Sequence, residues 1–84
     1  MKLKDAVAKR LKELLEEKKI TQYALSKISK VPQSTISTIL NGNIKTVKLS
    51  TVFELCVGLN IEISEFFSKD YLKAKNIEQE EIVK

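Results

Sequence analysis

Five small hydrogen-bonding side chains, Gln33, Ser34, Ser37, Thr38 and Asn41, recur within the stretch VPQSTISTILNG. Pro32 suits the first helical position, where its missing N–H goes unused and its fixed φ favours helix entry. A step of roughly 100° per residue then gathers the five on one arc of about 140°. Ile36, Ile39 and Leu40 fall on the opposite side, so the segment has an apolar back to bury and a front of uncharged donors and acceptors. The chemistry of such a front is hydrogen-bond recognition, and the partner it suits is the edge of a base pair in a DNA groove. A plain solvated helix face carries Glu, Lys or Arg, which favour helix, whereas Ser34, Thr35, Ser37, Thr38 and Asn41 are mediocre helix formers. Something other than helix stability selects them.

Catalytic chemistry has no visible seat. The chain has no histidine, one cysteine (Cys56), and carboxylates spread over predicted outer helix faces, so no acid–base or nucleophile constellation forms and the chain reads as no enzyme. A single cysteine cannot close an internal disulfide, and without histidine a zinc site has too few soft ligands. The expectation is no metal and no cofactor, with Cys56 a small core residue.

Charge points the same way as the polar helix. Between Lys18 and Phe53 stand six lysines (Lys18, Lys19, Lys27, Lys30, Lys45 and Lys48) and no Asp or Glu. The whole chain carries +4, so a block of +6 leaves −2 for the rest. Positive charge concentrated beside a hydrogen-bonding face is what a phosphate backbone requires, because neutralised phosphates release counterions and supply most non-specific affinity. Alone, the same run would equally serve to keep a domain soluble.

Thr21-Gln22 opening one short helix, the segment Val31-Pro32-Gln33-Ser34-Thr35-Ile36-Ser37 opening the next, and Asn41-Gly42 closing it resemble the helix-turn-helix of phage repressors and Cro, the XRE family. The likeness runs from about Val7 to Phe67. The resemblance implies a compact five-helix, lambda-repressor-like DNA-binding domain. Carried over residue by residue, it makes Gln33, Ser34, Ser37 and Thr38 base-contacting, and Thr21, Gln22, Thr35, Asn41, Lys45 and Thr46 phosphate-contacting. Arg10 resembles a position that touches phosphate, with an exposed basic residue as the alternative. Gln22 stands at a helix N-terminus whose free N–H groups and positive dipole end attract an anion; local capping is its competing role. Family members often carry Gly where Lys19 and Lys30 stand, and a left-handed lysine there costs roughly 1 to 2 kcal/mol.

These residues need elements to position them, and 84 residues make one small domain with helical periodicity throughout, an all-α bundle. Val7, Leu11, Leu14 and Leu15 give a first helix with Asp5 in its opening turn. Thr21 is placed to cap the second, whose inward side is Leu25 and Ile28, with Ser26 small enough for close helix approach and Tyr23 half-buried. Leu49, Val52, Phe53 and Cys56, with Leu55 and Leu59, form a nearly all-apolar fourth helix ended by Asn60, in which Gly58 permits close packing. Ile61, Ile63, Phe66 and Phe67 make a short fifth. The helix-turn-helix domain is bounded at 1–68, and the tail 69–84 is either a sixth helix that pairs two subunits or a frayed end, with dimerisation favoured.

The expected function is a sequence-specific double-stranded DNA-binding regulator of transcription, a repressor that occupies an inverted repeat as a homodimer with the helix Pro32 to Leu40 in the major groove. The alternatives are an antitoxin-type autoregulator that binds DNA and a toxin, and a protein-interaction module that has lost DNA binding. MKLKDAVAKR lacks the apolar core of a signal peptide and no run approaches the roughly 18 apolar residues of a membrane span, so no membrane partner and a cytoplasmic location are expected.

Overall fold

The computed structural model of the chain describes residues 1–78. Among them, α1 spans Leu3–Lys18, α2 Gln22–Ser29, α3 Gln33–Leu40, α4 Leu49–Leu59 and α5 Ile63–Phe66, followed by single 3-10 turns at Asp70–Leu72 and Ala74–Asn76. The described residues contain no strand.

Local chemistry sets the boundaries. Asp5 lies in the first turn of α1 and Lys18 in its last, each favourable to the helix dipole. The helix stops at Lys19 in the left-handed region (φ 54°), and the Ile20 N–H reaches back to Leu15 O at 3.1 Å. Thr21 Oγ1 accepts from the Ala24 N–H at 3.1 Å and opens α2, which closes at Lys30, also left-handed (φ 65°). Both lysines thus adopt the backbone that glycine favours. Pro32 caps α3 from outside instead of serving as its first helical residue: its ψ of 143° is extended, and its carbonyl takes the N–H groups of Thr35 and Ile36 at 3.0 and 3.1 Å. The extended ψ turns the chain out of α2 before the helix begins, and the relative phase of the later residues is unchanged.

The helices share one core. α1 packs on α3, α2 on both α3 and α4, and α5 on α4, around Val7, Leu11, Leu14, Leu25, Ile36, Ile39, Leu55 and Phe66. Helices α2 and α4 approach closely at Ser29 and Gly58, where a Cβ on the glycine would stand 2.7 Å from Ser29 Cβ. Ser29, not Ser26, is therefore the small residue at the crossing of α2 with α4, and Ser26 turns its hydroxyl onto Tyr23 O. Ser29 Oγ donates to Leu25 O and accepts from the Val31 N–H, tying the turn between α2 and α3 to its preceding helix. Cys56 is buried, and burial pushes its thiol above the ordinary range, with Arg10 opposing.

Several residues lie elsewhere than their periodicity implies. Ile28, Tyr23, Leu49 and Phe53 are exposed, because the buried faces of the two helices run through Leu25 and Ser29 and through Val52, Leu55, Cys56 and Leu59. Lys27 Nζ lies 5.1 Å above the Tyr23 ring. Arg10 is not exposed: at 3% exposure its Nε donates to Phe66 O at 2.8 Å, its Nη2 donates to Glu65 O at 2.9 Å, and its Nη1 stands 3.8 Å from Glu13 Oε1. It holds the last carbonyls of α5, of which Glu65 O also takes the Ser68 N–H and hydroxyl.

The described part of the tail folds back on the body of the chain. Leu72 and Ile77 are buried in the common core, Tyr71 donates to Glu13 Oε1, and Lys9 Nζ stands 4.4 Å over the Tyr71 ring. The Glu78 N–H reaches Met1 O at 3.2 Å. Residues 69–78 thus form two short turns on α1 in place of a continuous sixth helix, while Ile82 and Val83 lie outside the described residues.

Candidate nucleic-acid interface

The front of α3 is the surface on which the small polar side chains meet. Gln33 and Ser34 are exposed in its first turn, Ser37 and Thr38 are half-exposed one turn on, and Asn41 is exposed at its C-cap. Ile36 and Ile39, on the back, are completely buried, which fixes the rotation of the helix. Gln33, Ser34 and Ser37 make no side-chain hydrogen bond among the described residues, so their donors and acceptors face outward unengaged. Thr38 differs. Its Oγ1 donates to Ser34 O at 2.8 Å, which engages its proton and leaves an accepting lone pair and a methyl group. Thr35 is half-buried at the edge of the helix, between the front and the apolar back.

Two flanks extend this surface. On one side, the start of α2 presents Thr21 and Gln22. Capping is done by the Thr21 hydroxyl, and the Gln22 side chain has no partner among the described residues. On the other side, Gly42 in the left-handed region (φ 69°) leads into the loop 43–48, where Lys45 and Thr46 are exposed. A Cβ on Gly42 would meet Asp5 Oδ1 at 3.2 Å, so the loop leaves α3 tightly against the start of α1. That contact brings in a residue which periodicity had not singled out: Lys4 lines, with Leu3, Lys45, Thr46 and Val47, a shallow cleft of about 210 Å³. No local signal marks Lys4, since only the packing of α1 against the loop places its charge near Lys45.

Electrostatics follow from what is missing. The acid-free run from Lys18 to Phe53 contributes all of α2, α3 and the loop 43–48, so these elements carry lysines and no carboxylate, while Asp5 of α1 stands against Gly42. Among the described residues, the two groups with raised pKa values stand apart from the front of α3: Cys56 is on the core side of α4, and Tyr71, lifted by burial and then by its hydrogen bond to Glu13, packs against α1. Among the described residues no cluster of three or more His, Cys, Asp or Glu side chains could hold a metal ion, and no helix is long and apolar enough to cross a membrane. The arrangement offers hydrogen-bond readout flanked by cations.

A family model described as the Cro/C1-type HTH DNA-binding domain matches residues 10–70, a span that contains α2 to α5 whole and most of α1. No curated protein and no solved structure matches the chain.

Proposed function

The chain belongs to the family of Cro/C1-type helix-turn-helix DNA-binding domains, and from that premise we propose that it is a sequence-specific repressor that binds an inverted repeat as a homodimer. The observation that supports this reading best is the exposed, unengaged front of Gln33, Ser34 and Ser37 on a helix whose back is locked in the core. With the stretch Pro32 to Leu40 in the major groove, Gln33 pairs with the N6 and N7 edge of adenine, and Ser34, Ser37 and the Thr38 methyl contact neighbouring bases. Thr21, Gln22 and Thr35 hold the backbone on one side, and Asn41, Lys45 and Thr46 on the other. Lys4 joins the second group, by its place beside Lys45. Two-fold pairing sets two such helices in successive grooves about one helical turn apart. Repression then follows from occupancy of a promoter.

One experiment separates sequence-specific DNA regulation, which the repressor and antitoxin-type readings share, from the interaction-only reading. Bound duplexes are selected from a random pool near physiological salt and sequenced. Enrichment of a two-half inverted repeat is the expected result, whereas binding without enrichment, or none, would contradict sequence-specific regulation and favour a protein-interaction module.

A further inference from the structure

We infer that the outer face of α4 is the surface through which two copies of this chain pair, antiparallel across a two-fold axis. The inference deepens the dimeric reading above and rests on it. Leu49, Phe53 and Val57 are 69, 57 and 63% exposed and recur every four residues. At 1.5 Å per residue they form an apolar run of about 12 Å along one side of the helix. Val52, Leu55, Cys56 and Leu59 already supply the inward face, so this second face has no use within the described chain.

The charge at its two ends identifies the occupant. Lys48 stands at the N-terminal end, where the helix dipole is also positive. At the other end Val57 opens on a groove of about 330 Å³ walled by Asn60, Ile61, Glu62 and Glu65. The face is thus basic at one end and acidic at the other, with exposed Glu54 beside its middle. Antiparallel pairing of two identical faces brings Lys48 of each protomer to the partner's Glu62 and Glu65, twice over, with the apolar runs between. Parallel pairing would set like charges together.

Three side chains are a small contact compared with the roughly 800 Å² per partner of a standard interface. The free protein is therefore expected to be a weak, reversible dimer. Sedimentation equilibrium of the full chain without DNA, from micromolar to millimolar concentration, reads this directly and does not depend on DNA binding. Phe53→Glu, with Val57→Lys as the second variant should the first not fold, is expected to raise the dissociation constant at least tenfold. Affinity of either variant for a single half-site duplex should be unchanged. Lys48→Glu alone and Glu62→Lys with Glu65→Lys are each expected to weaken pairing about three- to tenfold at low salt. All three changes together should restore it. A chain ending at Glu78 should pair like the full chain. A wild-type protein monomeric throughout, indifference to Phe53→Glu and Val57→Lys, failure of the charge exchange to restore pairing, or loss of pairing on removing residues 79–84 would each overturn the inference.

Discussion

Gln33 has an exposed amide that no other described residue uses, and this is what makes its substitution informative. Gln33→Ala is expected to lower affinity for the selected duplex by about 1 to 3 kcal/mol and to relax one base position, read by competition against single-base variants. Lys45→Ala should weaken all duplexes alike and reduce the salt slope by about one. Equal, sequence-independent losses from both would remove Gln33 as a reader. Tyr71 provides a test of the fold at the same scale. Burial first, and then the bond to Glu13, hold its pKa above the ordinary phenol range. A raised folded-state pKa means the contact stabilises the protein fully below the ordinary tyrosine range near pH 10 and is lost as pH rises beyond it. Tyr71→Phe should therefore cost about 1 kcal/mol at neutral pH, with a smaller difference in urea midpoints above pH 10. The front of α3 was legible because its residues lie within nine positions of one another and depend only on helical phase. Arg10 was not, since its partners Glu65 and Phe66 lie on another helix far along the chain.

Helix junctions carry the strain and the precision that aim α3. Gly58→Ala would place a Cβ 2.7 Å from Ser29 Cβ, a contact that backbone must move to relieve. Although alanine is the better helix former, the substitution is expected to destabilise by about 1 to 3 kcal/mol through overpacking. Lys30→Gly should act in the opposite sense. It relieves a left-handed lysine at φ 65° and should stabilise by about 1 kcal/mol, seen as a higher urea midpoint. Arg10→Met would leave the carbonyl of Phe66 without its donor, while Glu65 O keeps the Ser68 N–H and hydroxyl, and should cost about 1 to 3 kcal/mol, loosening α5 before the rest melts. The existence and order of the helices were readable from Leu, Ile and Val spacing, as were the Thr21 cap and the stop at Asn60. Which apolar residues face inward was less so. Ile28, Leu49 and Phe53 satisfy the helical pattern, yet Ser29 and Gly58 set the crossing of α2 with α4 and so rotate those residues outward.

For the molecule as a whole, a single helical core supports one basic, hydrogen-bonding surface, and charge distribution governs how that surface meets DNA. Binding should weaken with salt along a line of slope about −0.9 per phosphate neutralised, for cognate and random duplexes alike. The difference between them should reside in α3. Composition and the acid-free block made the class of partner legible, because net charge and small polar residues are properties of the sequence itself. The path of residues 69–78 was not legible, since the burial of Leu72 and Ile77 depends on a cleft made by distant helices. The most direct measurement is backbone amide NMR of the labelled chain titrated with a duplex recovered by selection. DNA contact through the front of α3 predicts the largest shift changes at Gln33, Ser34, Ser37 and Thr38, with flanking changes at Gln22 and at Lys45 and Thr46. Changes concentrated instead on the tail turns or the exposed side of α2 around Tyr23 and Lys27, with α3 unmoved, would contradict it.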